Sequence, residues 1–188
     1  MANLTFDYSI HINGFVILEV EQNSLPPLPS FGEVNDHIWF EPEEILEKGM
    51  LFKVKNSYED EVVKYFKTNI FPYGWQIWGY PSFVDATVNL GVEQASFTAH
   101  TDYHEGDIDF FALMYPVPWD SQQYGGLLTI SNELDPSFSL SLSPSNNRII
   151  ILNNMVPYVK HVVTPIAPAE KIQERALCTV SWKRGPFR

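Results

Sequence analysis

The chain has 188 residues, a 45% apolar share and 13 Phe, 9 Tyr and 5 Trp, which excludes a disordered chain and allows one buried core. Twelve Lys and Arg against 23 Asp and Glu leave a formal charge of −11, which argues against a nucleic-acid partner because phosphate backbones are bound mainly through cations. No apolar run approaches the roughly 20 residues of a membrane span, the first residues lack a secretion signal's basic and apolar regions, and a single cysteine, Cys178, fits a reducing compartment; the expected setting is cytoplasmic.

Tyr8 to Val20 alternates and is β-rich, with Asn13-Gly14 as a turn or bulge signal. The prolines between Ser24 and Ser30 predict a surface loop. Glu41-Pro42-Glu43-Glu44 ahead of Ile45-Leu46, with Gly49 behind, reads as a short helix with Pro in its first turn. Ser57 to about Lys67 is a helix: Ser57-Tyr58-Glu59-Asp60 is a capping-box pattern, and Tyr58, Val62, Tyr65 and Phe66 share one face. From Trp75 the texture changes. Short apolar or alternating runs recur at Trp75 to Tyr80, Ala86 to Leu90, Phe110 to Tyr115, Leu127 to Ser131, Phe138 to Leu142, Ile149 to Leu152 and Ala176 to Trp182. Many short strands with no helical period between them predict an antiparallel sandwich or barrel. No repeat or linker divides the chain, so residues 1–188 are expected to form one mainly β domain, with one or two N-terminal helices supporting a core over about 75–183.

His100-Thr101-Asp102 puts two metal-ligand side chains on one face of an extended strand. His104 is an alternative third donor, but three ligands within five strand residues cover an octahedral face poorly. A distant histidine does so more easily, and His161 is such a residue. Two imidazoles and one carboxylate suit Fe(II) and leave three positions open. Arg175 opens an otherwise apolar strand, where a guanidinium needs an anion, and alternation puts Arg175, Leu177, Thr179 and Ser181 on one face. Metal ligands followed by an anion anchor point to an oxygenase. Arg184 competes as the anchor but reads as a solvated tail charge.

These segments, taken in order, resemble the Fe(II)/2-oxoglutarate-dependent dioxygenases, particularly the prolyl 4-hydroxylase-like branch. His100-Thr101-Asp102-Tyr103 resembles that branch's His-x-Asp-aromatic segment, and Leu113-Met114-Tyr115 the strand after it. Tyr124-Gly125-Gly126-Leu127-Leu128-Thr129-Ile130 is similar to the family's Gly-Gly strand. Pro144 through Leu152, followed by His161 and Val163-Thr164-Pro165, resembles the stretch with the distal histidine, and Arg175 through Trp182 the last strand. The resemblance implies a double-stranded β-helix (jelly roll) whose mouth holds Fe(II) on His100, Asp102 and His161. It implies 2-oxoglutarate as co-substrate on Arg175, with Asn89, Tyr115 and Thr179 as further contacts, and O₂ as the oxidant. Leu177 stands where many relatives have Ser, and Asn89-Leu90-Gly91-Val92-Glu93 lacks the family's tyrosine. The implied reaction hydroxylates a C–H bond, as of a peptidyl proline, and releases succinate and CO₂. The alternatives are an oxygenase of a free amino acid or other small molecule, and a non-catalytic jelly-roll binding module. Trp75, Trp78, Tyr103 and Trp119 are the aromatic residues expected at the mouth.

Overall fold

The computed structural model describes residues 10–27, 37–38, 51–54, 57–91, 97–101, 108–166 and 175–186. The helix expected at Glu41 to Gly49, and Asp102, Tyr103 and His104, lie outside these residues. The described strands are β1 (Phe15–Glu19), β2 (His37–Ile38), β3 (Leu51–Val54), β4 (Phe83–Gly91), β5 (Phe97–His100), β6 (Phe110–Met114), β7 (Leu128–Asn132), β8 (Asp135–Leu142), β9 (Arg148–Asn153), β10 (Val159–Val163) and β11 (Arg175–Lys183). A larger antiparallel sheet has the order β1-β9-β6-β11-β4-β3-β2, and a smaller one the order β5-β10-β7-β8. From β4 onward the chain keeps crossing between them: β4, β6, β9 and β11 lie in the large sheet, and β5, β7, β8 and β10 in the small one. This alternation is the jelly roll expected from the sequence.

The large sheet separates two apolar cores. On its inner face Leu113, Ile150, Leu152 and Leu177 meet Leu128, Ile130, Val159 and Val163 of the small sheet. On its outer face Ala112, Met114, Ile149, Ile151, Cys178, Val180 and Trp182 pack against α2 (Ser57–Asn69) through Val62 and Phe66. The same strands serve both cores because successive side chains point to opposite faces, which is why β6, β9 and β11 read as nearly continuous apolar runs. Trp182 anchors the outer core: it stacks on Phe110 (centroids 5.5 Å apart, planes 17° apart) and meets Trp78 nearly edge-on (5.5 Å, 83°). Aromatic pairs in such geometries add attraction beyond the area they bury.

Two sequence expectations are corrected. Ile10–Asn13 forms one helical turn, α1, instead of continuing the strand of β1. Ile10 is fully buried in the outer core, and the Gly14 N–H closes the turn on the Ile10 carbonyl at 3.1 Å. Gly14 has φ +78°, and a Cβ there would lie 2.4 Å from Val159 Cγ2, so the site requires glycine on both counts. Trp75 to Tyr80 is also not a strand: Trp75–Trp78 is a helical turn, α3, after a 3-10 turn at Phe71–Tyr73. Ile77 and Trp78, adjacent in sequence, are both buried, which a strand with alternating faces cannot achieve against one core.

Candidate metal centre

His161 lies at the centre of β10, where Val159, His161 and Val163 point inward and are buried. Its strand is fixed at both ends. Before it, Asn153 organises the turn out of β9: its Oδ1 accepts from the Met155 N–H at 3.1 Å and its Nδ2 donates to the Ile10 carbonyl at 3.3 Å. After it, Leu127 N–H donates to Thr164 Oγ1 at 2.8 Å, and Gly126 N–H to the Pro165 carbonyl at 3.3 Å. The Gly-Gly segment and the Thr164-Pro165 segment, 37 residues apart at Leu127 and Thr164, thus extend the β7–β10 ladder past His161.

On the other side of β10, His161 is the register partner of His100 in β5. The two imidazole centroids are 4.2 Å apart with their planes tilted by 55°. Cross-strand partners lie close enough for both rings to reach one small ion. Burial, and secondarily the nearby His100, push the His161 pKa down from 6.5 to about 3, so its imidazole is neutral across the physiological range. A neutral imidazole keeps the ring lone pair that a divalent cation takes. The donor chemistry therefore fits a metal.

Asp102 follows Thr101, the last described residue after β5, and lies outside the described residues. Among those residues no third His, Cys, Asp or Glu joins the two histidines.

The other expected site residues lie on the large sheet. Thr179 is buried on β11 opposite Leu113, and Leu177, two residues before it, belongs to the inner core. Tyr115 follows β6 and is buried in that same core. Asn89 is the register partner of Leu177. Arg175 is the first residue of β11, where it is the register partner of Gly91. Arg184 lies past the opposite end of that strand, where its backbone N–H donates to Asp109 Oδ2 at 2.6 Å.

Of the aromatic residues expected at the mouth, Tyr103 lies outside the described residues, and Trp75 and Trp78 lie elsewhere. Trp78 is buried in the outer core, on the far face of the large sheet from the histidines. Trp75 is exposed on that helical side. Trp119 donates to the Gly125 carbonyl at 2.9 Å and packs on Tyr124 of α4 (Ser121–Tyr124), bracing the β6–β7 connection. Position in the sequence alone does not say which face of a sheet an aromatic residue covers.

No protein family matches the chain by sequence, and no curated protein does. Solved structures match over nearly its whole length. A prolyl-4-hydroxylase from Pseudomonas putida superposes with a TM-score of 0.66 at 13% identity, covering 94% of this chain and 96% of that one. An oxidoreductase of the 2OG-Fe(II) oxygenase family from Burkholderia pseudomallei gives 0.61 at 11% identity, over 95% and 89% of the two chains. The fold is that of the 2OG-Fe(II) oxygenases. A prolyl hydroxylase from Trichoplax adhaerens, in complex with a peptide fragment of the hypoxia inducible factor oxygen degradation domain, shares this oxygenase fold at a TM-score of 0.66. Its identity is 16%, and the match covers 94% and 86% of the two chains.

Proposed function

We propose that the protein is an Fe(II)- and 2-oxoglutarate-dependent dioxygenase that hydroxylates a C–H bond, with a peptidyl residue such as proline as its substrate. The observation that carries this reading is the His100–His161 pair: two imidazoles at cross-strand positions of the small sheet, the buried one held neutral, inside an oxygenase fold. Fe(II) is assigned to His100, His161 and Asp102, whose carboxylate supplies the anionic ligand. Bound there with 2-oxoglutarate and O₂, the metal supplies the oxidising chemistry, which couples decarboxylation to succinate and CO₂ with substrate hydroxylation. Arg175 is assigned the distal carboxylate of 2-oxoglutarate, since a guanidinium makes two parallel bonds to it. Thr179, Tyr115 and Asn89 are assigned further contacts. The burial of Thr179 and Tyr115 around Leu177 supports an enclosed pocket in which water is excluded and such bonds gain strength. The peptide substrate is favoured by the likeness to two prolyl hydroxylases, one of them holding a peptide.

The test is anaerobic addition of Fe(II) and then 2-oxoglutarate, followed by optical spectroscopy. A visible charge-transfer band that needs both additions, is absent in His161→Ala and is bleached by O₂ with formation of succinate is the expected result. No band and no succinate at saturating concentrations of both would favour a binding module on the same fold.

A further inference from the structure

A cavity lies on the helical side of the molecule, away from the histidine pair. It has a volume of about 330 Å³ and is lined by Phe71, Pro72, Trp75, Tyr80, Pro81 and Lys67. Among the described residues the large apolar side chains left exposed are Ile12, Val117 and Leu134, each isolated, and Tyr73, Trp75 and Tyr80, clustered within eight residues. Tyr80, Trp75 and Tyr73 are 53%, 39% and 51% exposed, so their rings face water at and beside the cavity. Aromatic rings exposed together around a concave site are characteristic of a contact surface.

The walls are held in shape. The Tyr80 N–H donates to the Pro186 carbonyl at 3.3 Å, and the Gly185 N–H to the Trp78 carbonyl at 3.1 Å. A Cβ on Gly185 would fall 1.2 Å from the Tyr80 carbonyl oxygen, so glycine lets the strand leaving β11 press directly on the cavity's rim. The Phe71 and Trp78 rings pack edge to face beneath it (6.3 Å, 72°).

Proline rings stack on indole and phenol faces, and a polyproline II helix reaches such a site already ordered, with little entropy to lose. The charge here is also local. In a chain of net −11, the single charged lining residue among those described is Lys67, with Lys64 one turn earlier on α2 and Lys183 opposite Phe83 at the start of β4. The acids of α2, Glu59, Asp60 and Glu61, lie at its other end, and Asp85 follows on β4. A ligand with a carboxylate beside its prolines suits this rim.

We propose that this cavity docks an acidic, proline-rich peptide segment in the polyproline II conformation, with its prolines on Trp75 and Tyr80 and a carboxylate on Lys67. Binding here needs neither iron nor 2-oxoglutarate, so the assay omits both and its result is separate from the oxygenase reading.

The test is fluorescence anisotropy with a fluorescein-labelled peptide of repeating Pro-Pro-Glu, with the repeats Pro-Pro-Lys and Gly-Ser-Glu as controls. Saturable binding of Pro-Pro-Glu is expected, at least tenfold tighter than either control. Trp75→Ala, a change at an exposed residue, weakens it tenfold or more, and Lys67→Glu reverses the preference between the Glu and Lys repeats. His161→Ala leaves binding unchanged. Equal binding of Gly-Ser-Glu, no effect of Trp75→Ala, or an unreversed charge preference in Lys67→Glu would each overturn the assignment. Loss of binding in His161→Ala but not in Trp75→Ala would move the peptide to the metal mouth. A concentration-dependent dimer in sedimentation velocity that Trp75→Ala abolishes would make the cavity a self-interface instead.

Discussion

His161 is 8% exposed and lies on the inward face of β10 between Val159 and Val163, so a leucine there keeps the volume and removes the titrating ring. The unfolded imidazole takes a proton below pH 6.5, whereas the native one resists until about pH 3. Between those values the unfolded state binds the extra proton. Stability is therefore full above pH 6.5 and is lost as the pH falls through this window. Through this residue alone the loss is about 1 kcal/mol at pH 5.5 and roughly 3 kcal/mol at pH 4.5. His161→Leu should lack that part of the acid sensitivity. Urea unfolding of the metal-free proteins at pH 7.0, 5.5 and 4.5 measures it, and the difference between the two proteins cancels the carboxylates they share. Parallel curves would refute the reasoning, because they would mean that His161 is protonated or hydrated in the native protein. A neutral buried donor would then be absent from the proposed centre. At pH 7 the wild type should also gain stability on adding a divalent ion, by about 2.7 kcal/mol at a hundred times the dissociation constant, and His161→Leu should gain little.

Asp102→Ala should abolish 2-oxoglutarate turnover while the circular dichroism spectrum and thermal transition stay close to wild type, because two neutral imidazoles alone hold Fe(II) weakly; unchanged succinate formation would exclude Asp102 as a ligand. Arg175→Lys should weaken 2-oxoglutarate about tenfold, and Arg175→Ala further, with iron affinity nearly unchanged. Arg184→Ala should have no effect, and calorimetric titration showing the reverse order would place the anchor at the other end of β11. Gly14→Ala should cost about 2–4 kcal/mol, from left-handed backbone strain together with the clash on Val159, and lower the melting temperature by about 5–15 °C.

The strand runs at β6, β9 and β11 were legible because both faces of these strands are largely buried, one against each core, so the segments are mostly apolar and bounded by turn residues. The helix at Ser57 was legible for a comparable reason: Val62 and Phe66 repeat at helical spacing, and both are fully buried. Trp75 to Tyr80 misled because aromatic residues favour strands, and four residues are too few for a helical period to appear. Gly74 and Gly79, which bracket the turn, were the available signal. Order along the chain suggested the ligands, but the contact between His100 and His161 depends on which strands become neighbours in the small sheet, and no local pattern encodes that. The helical-side cavity was missed for the same reason. Lys67, Phe71, Trp75 and Tyr80 come from a helix end, two short turns and a loop, each unremarkable by itself.

The β5–β10 pairing also bears on how the protein folds. His100 and His161 are 61 residues apart in the chain, and β6, β7, β8 and β9 intervene. Closing so long a loop has an entropic cost that local hairpins such as β7–β8 avoid, so the two imidazoles should meet late, after most of the roll has formed. An emerging or half-folded chain then offers a metal the local pair His100 and Asp102 without the distant His161. Uptake of an ion should coincide with the slowest refolding phase rather than precede it, and refolding with a divalent ion present should leave the folding rate unchanged while slowing unfolding.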